Sequence, residues 1–135
     1  MVDLTLILKL VLVIVFSGLI GYEREHVKKQ AGLRTHILVC LSCCIITISS
    51  VIYFPQETAR IIAGLLTGMG FIGAGAIIAE QQKVIGITTA TSLWFVAIIG
   101  IIIALGAYEI ATISIIVAFL ILQLKRLESI KKTKP

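Results

Sequence analysis

Glu23, Arg24, Glu25, His26, Lys28, Lys29, Arg34 and His36 crowd into residues 21–36 of a chain that is otherwise close to pure hydrocarbon. Side chains of these types can pair with one another, hold a hard cation or a proton, or orient neighbouring membrane spans. Basic residues alone would serve the last purpose. Carboxylates add nothing to it, and Glu23 stands two residues beyond Gly21, at the edge of an apolar stretch where an unpaired charge is expensive. The spacing therefore predicts pairing of Glu23 or Glu25 with Arg34. Its functional extension is a cation or proton site that adds Glu80 and the hydroxyls of Thr88 and Thr89, because Mg2+ takes oxygen ligands and keeps several waters.

The elements that position these groups follow from composition. Of 135 residues, 59% are hydrophobic and 14% charged, and the mean hydropathy is +1.10. This is the balance of an all-α integral membrane protein. Five apolar segments, 4–22, 37–54, 61–79, 89–105 and 107–124, each approach the ~20 residues needed to cross a bilayer. The first segment exceeds a signal-peptide core and has no Ala-x-Ala site after it, so it is read as a span. Glu109 is the one charge in residues 90–124, and Gly106 beside it predicts a tight hairpin between two helices. Residues 1–124 then form the membrane domain and 125–135 a basic cytoplasmic tail.

Charge sets the expected orientation. An outside N-terminus puts Arg24, Lys28, Lys29, Arg34, Lys83, Lys125, Arg126, Lys131, Lys132 and Lys134 in the cytoplasm and leaves only Arg60 in an outer loop. The net charge of +5 has no nucleic-acid fold to serve, so anionic lipid is the counter-charge, at about 1 kcal/mol per surface Lys or Arg. With five spans, residues 21–36 and 80–92 share the cytoplasmic face. The candidate site there comprises Glu23, Arg24, Glu25, Arg34, Thr35, His36, Glu80, Thr88, Thr89 and Ser92, with Thr88 or Thr89 as the cap of the fourth helix.

Two periodic patterns lie within the spans. His36, Cys40, Cys43, Thr47 and Ser50 recur at helical spacing and define one face of the second span. A polar seam inside the bundle is the preferred reading, ahead of a hydrated path or a metal site, since three ligands on one helix face cannot close a tetrahedron. Gly64, Gly68 and Gly75 form one stripe of the third span, with Gly70 and Gly73 opposite. Small residues on two sides predict close packing between neighbours or dimerisation; backbone exposed for a ligand is the alternative. Gly68, Gly70 and Gly73 also spell G-x-G-x-x-G, but no strand precedes them and no dinucleotide fold fits. Lys9, within the first span, is expected to snorkel to the headgroups. No histidine has a placed Ser or Cys partner in the sequence, so no enzyme is expected, and no cofactor or metal is assigned.

Gly21, Glu23, Arg24 and Glu25; Ala31 to His36; Gly68, Gly70, Phe71, Gly73, Ala74 and Gly75; and Gly86, Thr88 to Ala90 and Ser92 to Trp94 stand in order along the chain. In these four blocks the chain resembles the membrane domain of the MgtC/SapB family. The resemblance implies a multi-pass bacterial inner-membrane protein tied to magnesium limitation and to acid or host stress, and regulatory through other membrane machinery; a homo-oligomer is expected. The alternative it implies is direct transport of Mg2+ or protons. The chain departs from the pattern at Glu57, Thr58, Ala59 and Arg60, where the family tends to D-P-x-R, and at Gly64, where Gln is common. The resemblance covers the membrane domain and not the soluble C-terminal domain of longer members.

Overall fold

The computed structural model describes residues 4–80 and 83–132, with side chains described outside 78–83 and up to Leu124. Five helices run in order, α1 (Leu4–His26), α2 (Leu33–Tyr53), α3 (Thr58–Gly75), α4 (Ile87–Ala104) and α5 (Tyr108–Lys132). The first four are long and apolar enough to cross a membrane; the apolar part of α5, Tyr108–Leu124, is shorter.

α4 is the centre of the bundle. In the most apolar window of each helix, 61% of α4 but only 6% of α3 is buried. Val96, Ala97, Ile99 and Ile103 of α4 meet Val13 and Ile20 of α1 and Val39, Cys40 and Cys44 of α2 in one core. Lipid offers apolar side chains no worse a surrounding than protein does, so such helices associate through close packing, which small residues permit. Gly100 supplies that contact. A Cβ there would overlap the carbonyl of Cys40, so α2 and α4 touch backbone to backbone.

Helix ends differ from those predicted, each for a local reason. α1 continues through Glu23, Arg24 and Glu25 to His26, because these charges find partners that keep the last turn intact. The polar connection shrinks to 27–32. It closes as a Schellman motif in which Lys29 N–H donates to Arg24 O (3.0 Å) and Lys28 N–H to Glu25 O (2.9 Å), with Lys28 left-handed at φ 53. α2 begins earlier than residue 37, at Leu33. The cap of α4 is Gly86 at φ 92, with no side-chain cap, so neither Thr88 nor Thr89 plays that part. A Cβ on Gly86 would collide with Ala76 O.

The hairpin at Gly106 is present. Gly106 stands at φ 84, and Ala107 N–H donates to Ile102 O (3.1 Å) and Gly106 N–H to Ile103 O (3.0 Å), the two bonds of a Schellman end. α3 stops at Gly75, short of the expected 79. Two short antiparallel strands follow, β1 (Ile78–Glu80) and β2 (Lys83–Ile85), in register Ile78↔Ile85, Ala79↔Val84 and Glu80↔Lys83. The β-branched Ile78, Val84 and Ile85 suit strands better than helix, a signal too short to outweigh the hydropathy of the segment.

Candidate functional site

The last turn of α1, the 27–32 connection and the first turns of α2 and α4 meet at one end of the bundle. Glu23 and Arg24 are 7% and 4% exposed, and Arg24 Nε donates to Glu23 Oε2. Their charges cancel within one turn of helix. Glu25 Oε2 accepts the N–H of Leu33 (2.8 Å), satisfying one orphan donor at the start of α2. Gly32 permits this: a Cβ there would stand 2.6 Å from that carboxylate oxygen. Gly21 has a similar role, since its Cβ would lie 2.8 Å from Leu33 Cα.

Neither carboxylate pairs with Arg34, which is exposed on the outer face of α2. The physical reason is proximity: Arg24 and the Leu33 amide reach Glu23 and Glu25 first, within the turns that place them.

His36 is fully buried. Its Nδ1 lies 2.8 Å from Gly32 O and its Nε2 3.0 Å from Ser92 Oγ. Ser92 also donates to Thr89 O (2.8 Å), and Thr89 Oγ1 donates to Gln30 Oε1 (3.2 Å). The network thus ties the connection, α2 and α4 together. His36 does have a placed serine partner, contrary to the sequence reading; fifty-six residues separate the two, so no local pattern announced it. Gln30 was missed for the same reason.

Of the other predicted site residues, Thr35 and Thr88 are exposed and add no hydrogen bond to the network. The side chain of Glu80 lies outside the described residues. The seam of α2 is buried throughout: His36, Cys40, Cys43, Thr47 and Ser50 are each 2% exposed or less. Its hydroxyls turn to their own helix, Thr47 Oγ1 to Cys43 O (2.7 Å) and Ser50 Oγ to Thr47 O (2.8 Å). Among the described residues, no three His, Cys, Asp or Glu side chains group closely enough to hold a metal ion.

The glycines of α3, predicted to pack closely or to dimerise, meet little within the chain. Gly64, Gly68, Gly70 and Gly75 have nothing within 4 Å of a would-be Cβ, and Gly73 alone approaches Ala90, at 3.8 Å. Gly64 and Gly68 line an open groove of about 620 Å3 between α2 and α3, with Leu38, Cys43, Ile61 and Met69. A second cavity, of about 420 Å3, lies between α1, α4 and α5, where Thr88, Thr91, Ser92 and Ser114 form a hydroxyl edge on an otherwise apolar wall. Lys9, expected to snorkel, has a partner within the bundle. Its Nζ donates to Ala104 O at the C-terminus of α4 (2.7 Å), where the helix dipole favours a cation.

Apolar helices around a buried, internally satisfied polar end define a multi-pass membrane protein. The chain belongs to the MgtC family, whose model matches residues 10–130. It is 38% identical over 102 residues to "Putative magnesium transporter YhiD" of Escherichia coli (strain K12), covering 69% of this chain and 47% of that protein. Protein MgtC of Salmonella typhimurium (strain LT2) is 40% identical over 88 residues, covering 65% and 38%. Protein SapB of Bacillus subtilis (strain 168) is 36% identical over 106 residues, covering 71% and 46%. The chain thus spans less than half the length of these relatives. No solved structure matches it. As a member of this family it is a multi-pass protein of the bacterial inner membrane.

Proposed function

We propose that the chain is a regulatory membrane protein of magnesium homeostasis and ionic or acid stress, acting on other membrane machinery and assembling with copies of itself. Its five helices cross the membrane with the N-terminus outside and the polar end of the bundle in the cytoplasm, as the basic residues at that end favour. The observation that carries this reading is where the charges are spent. Glu23 is held by Arg24, Glu25 by the Leu33 amide, and His36 by Gly32 and Ser92. Glu25 and His36 join helix ends, and Glu23 is engaged within α1, so neither carboxylate stands waiting for a cation.

The role is one of binding and not of catalysis. Ser92 and His36 are a hydroxyl and a base in contact, yet both are buried and the hydroxyl is also engaged with Thr89 O. Direct transport of Mg2+ or protons is the second reading, favoured by the name of the Escherichia coli relative and by the polar seam of α2. Reconstitution separates the two. Purified protein in liposomes is expected to show no Mg2+ or proton flux above empty vesicles, and to recover a stoichiometric membrane-protein partner in pull-downs from native membranes. Flux abolished by Glu23→Gln would give transport first place.

A further inference from the structure

The imidazole of His36 has a partner at each nitrogen, and the two partners differ in kind. Gly32 O can only accept, so Nδ1 carries a proton in every state of the ring. Ser92 Oγ can donate or accept, and it faces both Nε2 (3.0 Å) and the carbonyl of Thr89 (2.8 Å). One hydroxyl proton cannot serve both. With a neutral ring, Nε2 is the acceptor and the Ser92 proton points at it. With a protonated ring, Nε2–H donates to Ser92 Oγ and the serine proton turns to Thr89 O. Each state is fully hydrogen-bonded at the ring, so the proton can come and go without leaving a buried nitrogen unpaired.

We propose that His36 and Ser92 form a reversible proton-binding site that couples the 27–32 connection and the start of α2 to the start of α4. The protonated state completes an unbroken chain from Gly32 through His36 and Ser92 to Thr89, whose own hydroxyl holds Gln30 of the connection. Such chains polarise one another, and their charge-assisted link is about twice as strong as a neutral one. Protonation therefore tightens the joint between α2 and α4. It also turns the Ser92 hydroxyl, which lines the cavity between α1, α4 and α5, and so changes the face offered to whatever lies there.

Among the described residues, few charges face the ring. From α1 the facing charges are Glu23 and Arg24, already paired with each other. α4 presents only the uncharged Thr89 and Ser92, the connection presents Gln30 and Gly32, and α2 itself places Cys40 one turn on. The site stands whether the protein regulates or transports, because it rests on hydrogen bonds alone.

His26→Gln leaves His36 as the only imidazole in the chain. Nitrogen-15 NMR of that full-length protein in phospholipid vesicles, from pH 8 to pH 4, is the test. A ring protonated at Nδ1 alone at high pH, and at both nitrogens in acid, is the expected result. Ser92→Ala should require about tenfold more protons for half-protonation, the loss of one charge-assisted bond against a neutral one, while Ser92→Thr should stay near the parent. A proton on Nε2 at pH 8, a ring neutral down to pH 4, or a Ser92→Ala titration that coincides with the parent's would each overturn the proposal. The first two are read without altering Ser92, so they hold even if that variant folds poorly.

Discussion

The backbone of Gly100 rests directly on the carbonyl of Cys40, leaving no room for a methyl group between α4 and α2. Overpacking a closed contact costs about 1–3 kcal/mol, and backbone cannot rotate away as a side chain would. Gly100→Ala should therefore lower the thermal unfolding temperature of the protein in detergent. Gly64→Ala and Gly68→Ala, with nothing within 4 Å, should leave monomer unfolding unchanged and alter only the oligomer distribution seen by light scattering. Equal destabilisation by all three would refute the assigned α2–α4 contact.

Lys28 holds the left-handed position that ends α1, at φ 53. A side chain there costs about 1–2 kcal/mol, partly offset because glycine adds freedom to the unfolded chain, by about 0.4–1 kcal/mol. Lys28→Gly should be net stabilising by about 0.5–1 kcal/mol in equilibrium unfolding. A destabilised variant would mean that α1 ends differently.

Lys9 and Ala104 meet across ninety-five residues of sequence. A cation at a helix C-terminus contributes about 0.3–1 kcal/mol, and up to ~2 when partly buried. Lys9→Met should lower stability by about 1 kcal/mol and speed amide exchange at Leu105 to Ala107. Unchanged exchange would count against the Lys9–Ala104 contact.

Glu23 and Arg24 form a buried ion pair, so the single changes should hurt more than the joint one. Removing one partner of such a pair strands a charge at about 3–5 kcal/mol, whereas replacing both with apolar residues of similar volume is often neutral. Glu23→Met and Arg24→Met should each reduce folded protein sharply, and the double variant should recover most of it. Additive losses would exclude the pairing.

Much of this architecture is legible along the chain. Hydropathy places all five helices, and Gly106 beside Glu109 marks the last hairpin, since a left-handed turn in an apolar run has few other solutions. The polar periodicity of α2 identifies a face whose residues are all buried. The charged run is harder to read. It looks like a loop, yet ten of its sixteen residues, 21–26 and 33–36, belong to α1 and α2, because Arg24 pairs with Glu23 and the Leu33 amide hydrogen-bonds Glu25.

What the sequence alone determined is the bilayer as solvent, the number of helices and the end of the bundle that carries the charge. These depend on transfer free energies summed over ~20-residue windows, which survive any arrangement of neighbours. It takes the tertiary arrangement to show that Gly100 packs α4 on α2 while Gly64 meets no neighbour within the chain, that Glu23 answers to Arg24, and that His36 meets Ser92. Those outcomes depend on how helices cross. A crossing brings together residues far apart in the chain, where a shift of one turn would give each a different partner.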